Sequence, residues 1–285
     1  MKIKIITDTG CDLPYSYIKE NQIELVPFHV ELDGKEYRDM IDIQARDIYN
    51  AMRNGKTPKT SQASPNTLKE SFIKIAKKNQ TGIYIAFSSE LSGTYHTACM
   101  VREQVMEEYP ELDLTIIDSR SASLGQGLCV RNAVELAKKG ANKEEIIKKI
   151  EYYRDHIEHI FTVDDLEYLR RGGRLSRAGA FIGSLLSIKP LLHVEDGKLV
   201  PLEKVRGRKK VLNRFLEIMD ERCEELENQL IGISHGDDEE TALTLKEMIE
   251  DRFGCKHFFI HTIGAAIGAH SGPGTLAVFF LNRLE

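Results

Sequence analysis

Residues 83–95 have the sequence IYIAFSSELSGTY, in which five apolar residues precede a run of small hydroxyl residues. The apolar run predicts a buried strand, and the segment after Ser92 has the spacing of an amphipathic helix. The first N–H groups of a helix lack intrahelical partners and carry partial positive charge. Ser92, Gly93 and Thr94 are therefore predicted at a helix start. There Ser92 either caps the helix or donates to an anion, and Gly93 lets a ligand approach the backbone.

The same order of strand, polar loop and helix recurs through the first half of the chain, which predicts a mostly parallel, doubly wound sheet. The second half contains a two-residue hairpin signal, Asp196-Gly197, between apolar strands, and predicts a mixed sheet with helices. The expected fold class is α/β with two α/β domains, residues 1–158 and 159–285. Locally, Asp12 is predicted to cap a helix that has Pro14 in its first turn.

Composition narrows the class of protein. Of 285 residues, 41% are apolar and 29% charged, which is ordinary for a globular protein. The formal net charge of −5 argues against a general binder of nucleic acid or membrane surfaces. No apolar run approaches the ~20 residues of a membrane span, so no integral membrane segment is expected. Five cysteines without a C-x-x-C pair indicate reduced thiols and a cytoplasmic location.

Three loops carry hydroxyl residues next to predicted strands or helices: Thr60 with Ser61, Ser88-Ser89 with Ser92, and Ser119 with Ser121. Ligands of an open parallel sheet bind outside the carboxyl ends of its strands, so these loops either converge on a ligand or serve only as caps and turns. Residues 88–96 contain no Lys or Arg, and the glycine-rich phosphate motifs are absent. A carboxylate therefore suits such a site better than a polyphosphate.

An enzymatic alternative stays open at this point. Ser92 could be the nucleophile of an esterase or thioesterase, although the G-x-S-x-G elbow is absent around it. A Ser-His-acid triad is adjacent only in space, so one sequence does not exclude it. His270 lies in a glycine-rich stretch, predicted as a loop over residues 264–274, where small neighbours would admit a ligand. No cluster with the spacing of metal ligands stands out, so no metal site is predicted.

Two further stretches have a structural and a functional interpretation. The apolar segment 181–188 is either a core helix or the wall of a tunnel for an acyl chain. Basic residues form either a solvated face or a docking surface for an acidic or phosphate-bearing partner. They are Arg170, Arg171, Arg174, Arg177 and the cluster over residues 204–210, which includes Arg206.

With these stretches in view, the whole chain resembles the DegV family of bacterial fatty-acid-binding proteins. The resemblance rests on the order and spacing of seven motifs: Ile6–Thr9, Lys59–Gln62, Ser88–Tyr95, Ile117–Ser119, Val163–Arg174, Ile188–Pro190 and Gly268–Gly274. Two positions depart from the family pattern. Thr9-Gly10 stands where a Ser-Thr pair is more common, and Ala63 replaces a proline.

The resemblance implies one long-chain fatty acid in a tunnel between the two domains. For some members it implies a non-catalytic, lipid-presenting role in phospholipid metabolism, beside a separate ATP-dependent kinase subunit that makes acyl phosphate. Carried over by motif, the carboxylate-binding residues would be Thr60, Ser61, Ser92, Gly93 and His270. The residues that would meet the kinase are Arg170, Arg171, Arg174 and Arg206. The resemblance implies no cofactor apart from the bound fatty acid and no catalytic residue in this chain.

Overall fold

The computed structural model describes residues 3–175, 188–223 and 225–284. The strands are β1 Ile3–Asp8, β2 Glu24–Val26, β3 His29–Leu32, β4 Lys35–Arg38, β5 Lys59–Ser61, β6 Thr81–Ala86, β7 Leu114–Asp118, β8 Ile157–Thr162, β9 Ile188–Glu195, β10 Lys198–Arg206, β11 Leu230–His235, β12 His257–Thr262 and β13 Leu276–Leu281. The helices are α1 Tyr15–Glu20, α2 Ala45–Arg53, α3 Pro65–Lys77, α4 Thr94–Glu108, α5 Leu124–Lys138, α6 Lys143–His156, α7 Leu166–Arg171, α8 Arg208–Arg222, α9 Glu239–Phe253 and α10 Ala265–Ser271.

The first sheet is fully parallel, with the strand order β2-β1-β6-β7. Two helix pairs pack around it, α3 with α4 and α5 with α6. The central strands β1 and β6 are buried over most of their length because both faces are covered. The α/β class and the parallel first sheet predicted from the sequence are confirmed.

The second sheet is mixed, with the order β10-β9-β8-β13-β11-β12 and a parallel pair only between β11 and β12 in the described chain. Helices α8 and α9 cover one face, and α5 contacts β8, β11 and β13 on the other. Alternation along β13 divides its side chains between the two faces. Val278 and Phe280 pack with α8 and α9, whereas Ala277 and Phe279 face the space beside α5.

A third, small antiparallel sheet has the order β4-β3-β5. The Asp33-Gly34 turn joins β3 to β4, as the hairpin signal predicts. The prediction of a polar loop at Lys59–Ser61 is wrong, because these residues form β5 and pair with the edge of β3, Thr60 opposite Val30. A three-residue strand has too little pattern of its own to be seen in the sequence.

Two other local predictions are wrong. Asp12 does not cap α1, since Pro14 takes that position and Asp12 lies in the left-handed region at φ 50° with its side chain directed elsewhere. The glycine-rich stretch before β13 is not a loop throughout. Its alanines build α10, and the helix ends at Gly272, where φ is +81°.

The second sheet starts at β8, directly after α6 ends at His156. The division into residues 1–158 and 159–285 stays a prediction. Among the described helices, none is both long and apolar enough to cross a membrane.

Candidate ligand-binding site

A cavity lies between the loops of the first sheet and the face of the second sheet that α5 contacts. Its volume is about 870 Å³ when the part that opens to solvent is counted. Most of its wall is carbon. The apolar residues come from both halves of the chain: Phe28, Phe87, Leu91, Ala122, Phe161, Leu169, Val194, Leu199, Ile263, Ala266, Ile267, Ala277 and Phe279.

Polar side chains from four separate elements meet at one end of this cavity. Strand β5 brings Thr60, the start of α4 brings Ser92, α10 brings His270, and the segment after α7 brings Arg174. The oxygen Thr60 Oγ1 lies 2.6 Å from His270 Nε2. The convergence of Thr60, Ser92 and His270 is what the sequence-based site predicts.

The start of α4 presents the Ser92 hydroxyl. The backbone N–H of Thr94 donates to Ser92 Oγ at 3.3 Å, and Thr94 Oγ1 lies 2.9 Å from the same atom. Either hydroxyl can donate in the second contact, and when Thr94 donates, the proton of Ser92 is available to a ligand. Thr94 in turn accepts from the backbone N–H of Ala63, which ties this helix start to the end of β5.

Gly93 occupies the N-cap position of α4, as predicted for a helix start. A Cβ atom there would lie 2.2 Å from Gln62 Oε1, so the glycine leaves room for the Gln62 amide. Gln62 Nε2 donates to Thr97 Oγ1 at 2.7 Å and so holds the amide against α4. The placement of Gln62 in the wall is one that the sequence reasoning missed.

His270 is half-buried beside Gly172. A Cβ at Gly172 would come within 2.1 Å of His270 Nδ1, so this side of the imidazole packs directly on the backbone after α7. Burial, assisted by the charge of Arg174, lowers the pKa of His270 to about 4. The imidazole is therefore neutral at neutral pH and acts as a hydrogen-bond partner rather than a cation.

Ser61 borders the cavity, but its hydroxyl points away from Thr60. Successive residues of a strand face opposite sides, and Ser61 Oγ donates to Glu36 Oε1 at 3.5 Å. Of the two hydroxyls predicted together on this segment, the structure joins only that of Thr60 to His270.

The other predicted hydroxyls fasten loops and do not line the cavity. Ser88 Oγ donates to the carbonyl of Gly197 at 2.7 Å, and Ser89 Oγ donates to Asp118 Oδ2 at 2.5 Å. Ser119 Oγ accepts from the backbone N–H of Ser121. Of the two interpretations open for these loops, the contacts of Ser88, Ser89 and Ser119 support the turn interpretation.

The predicted docking arginines separate into two groups. Arg174 is half-buried in the cavity wall, where its Nε donates to the carbonyl of Leu91 at 3.2 Å, and burial lowers its pKa. Arg170 and Arg171 are exposed on α7, and both pair with Glu167, whose pKa these hydrogen bonds lower to about 2. Arg206 is exposed at the end of β10. Arg177 and the apolar segment through residue 187 lie outside the described residues.

Three buried carboxyl groups accept hydrogen bonds from backbone N–H groups of segments that line the cavity. They were not predicted from the sequence. Asp8 accepts from the Phe87 N–H, Asp12 from the Gly264 N–H, and Asp39 from the Ala266 N–H. Burial raises the pKa of Asp8 to about 6, of Asp12 to about 8 and of Asp39 to about 6. Asp12 and Asp39 fix the start of α10, the helix that carries His270.

Within the described ranges, no three His, Cys, Asp or Glu side chains are grouped closely enough to hold a metal ion.

Comparison with known proteins gives the same architecture. A DegV domain-containing protein of Clostridium perfringens is 43% identical over 283 residues, covering 98% of this chain and 97% of that protein. The structure described as fatty acid binding of a DegV family protein from Thermus thermophilus superposes with a TM-score of 0.89 at 30% identity, covering 98% of this chain and 99% of that one. The crystal structure of DegV from Bacillus subtilis, described as a fatty acid binding protein, gives 0.87 at 33% identity and covers 98% of both chains.

The two sheets, the apolar cavity between them and the polar side chains at its end define an α/β protein with a candidate small-molecule site. The family described as uncharacterised proteins of the DegV family matches residues 2–283. The chain belongs to the DegV family.

Proposed function

We propose that this chain binds one long-chain fatty acid, with the carboxylate at the polar end and the tail in the apolar part of the cavity. The observation that carries the proposal is the pairing of a carbon-lined cavity with an end made of Thr60, Ser92 and neutral His270. Ser92 can donate to a ligand when Thr94 donates to Ser92, Thr60 is oriented by His270, and the N–H of Gly93 lies at the start of α4. Ser61 would contribute less than Thr60, because its hydroxyl lies on the other side of β5.

The energetics favour a long tail. A buried carboxylate is costly unless several donors satisfy it, and the polar end supplies hydroxyl and backbone donors. Each buried CH₂ contributes ~0.8 kcal/mol, so a chain of many carbons offsets the remaining desolvation cost. The related proteins from Thermus thermophilus and Bacillus subtilis are described as fatty acid binding, which supports the same ligand class here.

Binding is best tested on delipidated protein with octadecanoic acid. We expect Thr60→Val together with Ser92→Ala to weaken binding at least tenfold, because two donors to the carboxylate are lost. The matched control is Thr115→Val with Ser71→Ala, which removes the same atoms at positions outside the cavity lining. Equal affinities of the two double variants would contradict the proposal, and native mass spectrometry would identify any lipid that co-purifies.

We further propose that the chain is a non-catalytic subunit that presents its fatty acid, in the cytoplasm, to a separate ATP-dependent kinase for acyl phosphate formation. Exposed Arg170, Arg171 and Arg206 would dock that partner, and Arg174 would act from the cavity wall. The purified chain alone should show no ATP hydrolysis. Charge reversal at Arg170 and Arg171 should abolish acyl phosphate formation with a kinase subunit while fatty acid binding persists.

No contact of Ser92 favours the alternative of a serine esterase. The imidazole of His270 is engaged with Thr60, and the Ser92 hydroxyl contacts Thr94. Incubation with a fluorophosphonate probe separates the two functions, since labelling at Ser92 would support an enzyme.

A further inference from the structure

A group of buried polar side chains interrupts the carbon lining of the cavity beyond its polar end. We call Ser123, Ser234 and His159 the polar notch. All three line the cavity and are 6%, 0% and 3% exposed. Thr275 lies next to Ser271 at the polar end, and along β13 Ala277 pairs with Ser234 and Phe279 with nearby Gly232 and His159. At ~3.3 Å per residue, the notch lies ~7–13 Å along the strand from Thr275.

The contacts of Asp12 determine which hydroxyl of the polar notch has a proton without an acceptor. Ser123 Oγ lies 2.5 Å from Asp12 Oδ2 and 3.0 Å from Ser234 Oγ. When Asp12 is ionised, Ser123 donates to its Oδ2; when Asp12 is protonated, the form that its pKa of about 8 favours at neutral pH, the carboxyl donates to Ser123. In that protonated form Ser123 donates to Ser234, and the described residues supply no acceptor for the proton of Ser234.

His159 supplies the opposite hydrogen-bonding group. Its Nδ1 lies 3.3 Å from the carbonyl oxygen of Ile157, and because a carbonyl only accepts, Nδ1 carries the proton. Burial lowers the pKa of His159 to about 4, so Nε2 is an unprotonated acceptor at neutral pH. Among the described residues this buried Nε2 has no hydrogen-bond partner.

The donor and the acceptor both lie beside the start of α5. Ser234 contacts Ser123, the residue before α5, and His159 Nε2 lies on Gly125, where a Cβ would be only 2.0 Å away. An alkyl chain passing this point would leave both groups unpaired, which is costly in a buried site. A hydroxyl group accepts one hydrogen bond and donates another, so it satisfies both at once.

We propose that the polar notch binds a hydroxyl group carried along the acyl chain, so that hydroxylated long-chain fatty acids are ligands of this cavity. The inference rests on the proposed fatty acid function and specifies its ligand class. The notch is separate from the carboxylate site, because it lies farther along β8 and β13 and uses none of the same side chains.

The test compares octadecanoic acid with a series of monohydroxy octadecanoic acids whose hydroxyl is moved carbon by carbon along the chain. For wild-type protein we expect the hydroxyl to be tolerated without loss of affinity over a short run of mid-chain positions. In Ser234→Ala the affinity for those isomers should fall about tenfold relative to octadecanoic acid. Ser71→Ala, which removes a buried hydroxyl in α3 outside the cavity lining, should leave the ratio unchanged.

His159→Leu should produce the same selective loss. If that variant fails to fold, Ser234→Ala decides alone, because removal of one oxygen leaves the packing intact. The proposal is overturned if wild-type protein binds octadecanoic acid but binds every hydroxy isomer more than tenfold more weakly, or if Ser234→Ala leaves the ratio unchanged. Failure to bind any of the acids would overturn the proposed function together with this inference.

Discussion

Thr60 and His270 are hydrogen-bonded at 2.6 Å although 210 residues of sequence separate them. The contact joins β5 of the small sheet to α10 before the last strand, and it orients a hydroxyl at the end of an apolar cavity. Gly172 supports the other edge of the imidazole. The hydrogen bond between Thr60 and His270 therefore depends on the segment after α7. A substitution at Gly172 tests it without changing either residue.

Gly172→Ala should weaken fatty acid binding without removing any atom proposed to bind the ligand. The new Cβ would lie 2.1 Å from His270 Nδ1, so the imidazole must move away from Thr60. We expect a loss of ~1–3 kcal/mol in the free energy of unfolding, as for overpacking of a filled site, and a clear loss of affinity for octadecanoic acid.

Gly140→Ala is a control for the substitution itself, since a Cβ there meets nothing within 4 Å but lies at positive φ, +87°. It should lower stability through backbone strain while affinity persists. Full retention of affinity in Gly172→Ala would show that the position of His270 is unimportant for binding.

Asp8→Asn should destabilise the protein, with the start of the Phe87–Ser92 loop affected first. Each carboxylate oxygen of Asp8 faces a fixed backbone N–H, that of Phe87 on Oδ2 and that of Gly10 on Oδ1. Whichever way an asparagine turns, its NH₂ group meets one of these donors. We expect the free energy of unfolding to fall by about 1–3 kcal/mol, measured by urea denaturation near neutral pH. Stability equal to wild type would mean that the carboxylate does not organise this loop.

The elements whose signals are local were predicted well from the sequence. The strand before Ser88, the helix start at Gly93 and the Asp33-Gly34 hairpin all follow from periodicity and turn chemistry within a few residues. The fold class follows from their order. The assignment of Thr60, Ser92 and His270 to one site came from family motifs, because no local pattern reports a contact across 210 residues.

The features that the sequence did not reveal depend on tertiary contacts. Asp12 looks like a helix cap, yet its carboxyl reaches Ser123 and Gly264. Arg174 stands in a basic run that suggests a solvated surface, yet the chain after α7 turns it into the cavity wall. The amide of Gln62 occupies the space that a Cβ at Gly93 would fill, and no sequence pattern indicates this contact.

Asp12→Asn should remove part of the pH dependence of stability. The pKa of Asp12 is about 8 in the folded protein and ~3.9 for an exposed carboxyl, so its contribution is present below about pH 4 and is lost as the pH rises towards 8. Asparagine reproduces the protonated side chain, with oxygen towards the Gly264 N–H and NH₂ towards Ser123. Between about pH 5 and pH 8, the variant should therefore gain at least ~1 kcal/mol in unfolding free energy relative to wild type.

Thermal or urea unfolding at both pH values measures this change. Asp251→Asn, at an exposed position of α9, is the matched control and should follow the wild-type dependence. A constant difference between Asp12→Asn and wild type across the range would show that Asp12 does not titrate there.

Substitution of Arg174 should affect the lipid site and substitution of Arg170 and Arg171 should not, because of these three only Arg174 lies in the cavity wall. Its charge is one cause of the lowered pKa of His270, after burial, so Arg174→Met should raise that pKa, as observed by NMR titration of the imidazole. Affinity for octadecanoic acid should fall in the same variant, because the side chain that holds the Leu91 carbonyl beside Ser92 is lost. Arg170→Gln with Arg171→Gln should change neither quantity, since both side chains are exposed and pair only with Glu167 in the described chain. An equal loss of affinity in that double variant would mean that the exposed arginines also support the lipid site. An unchanged pKa of His270 in Arg174→Met would show that the charge of Arg174 does not act on the imidazole.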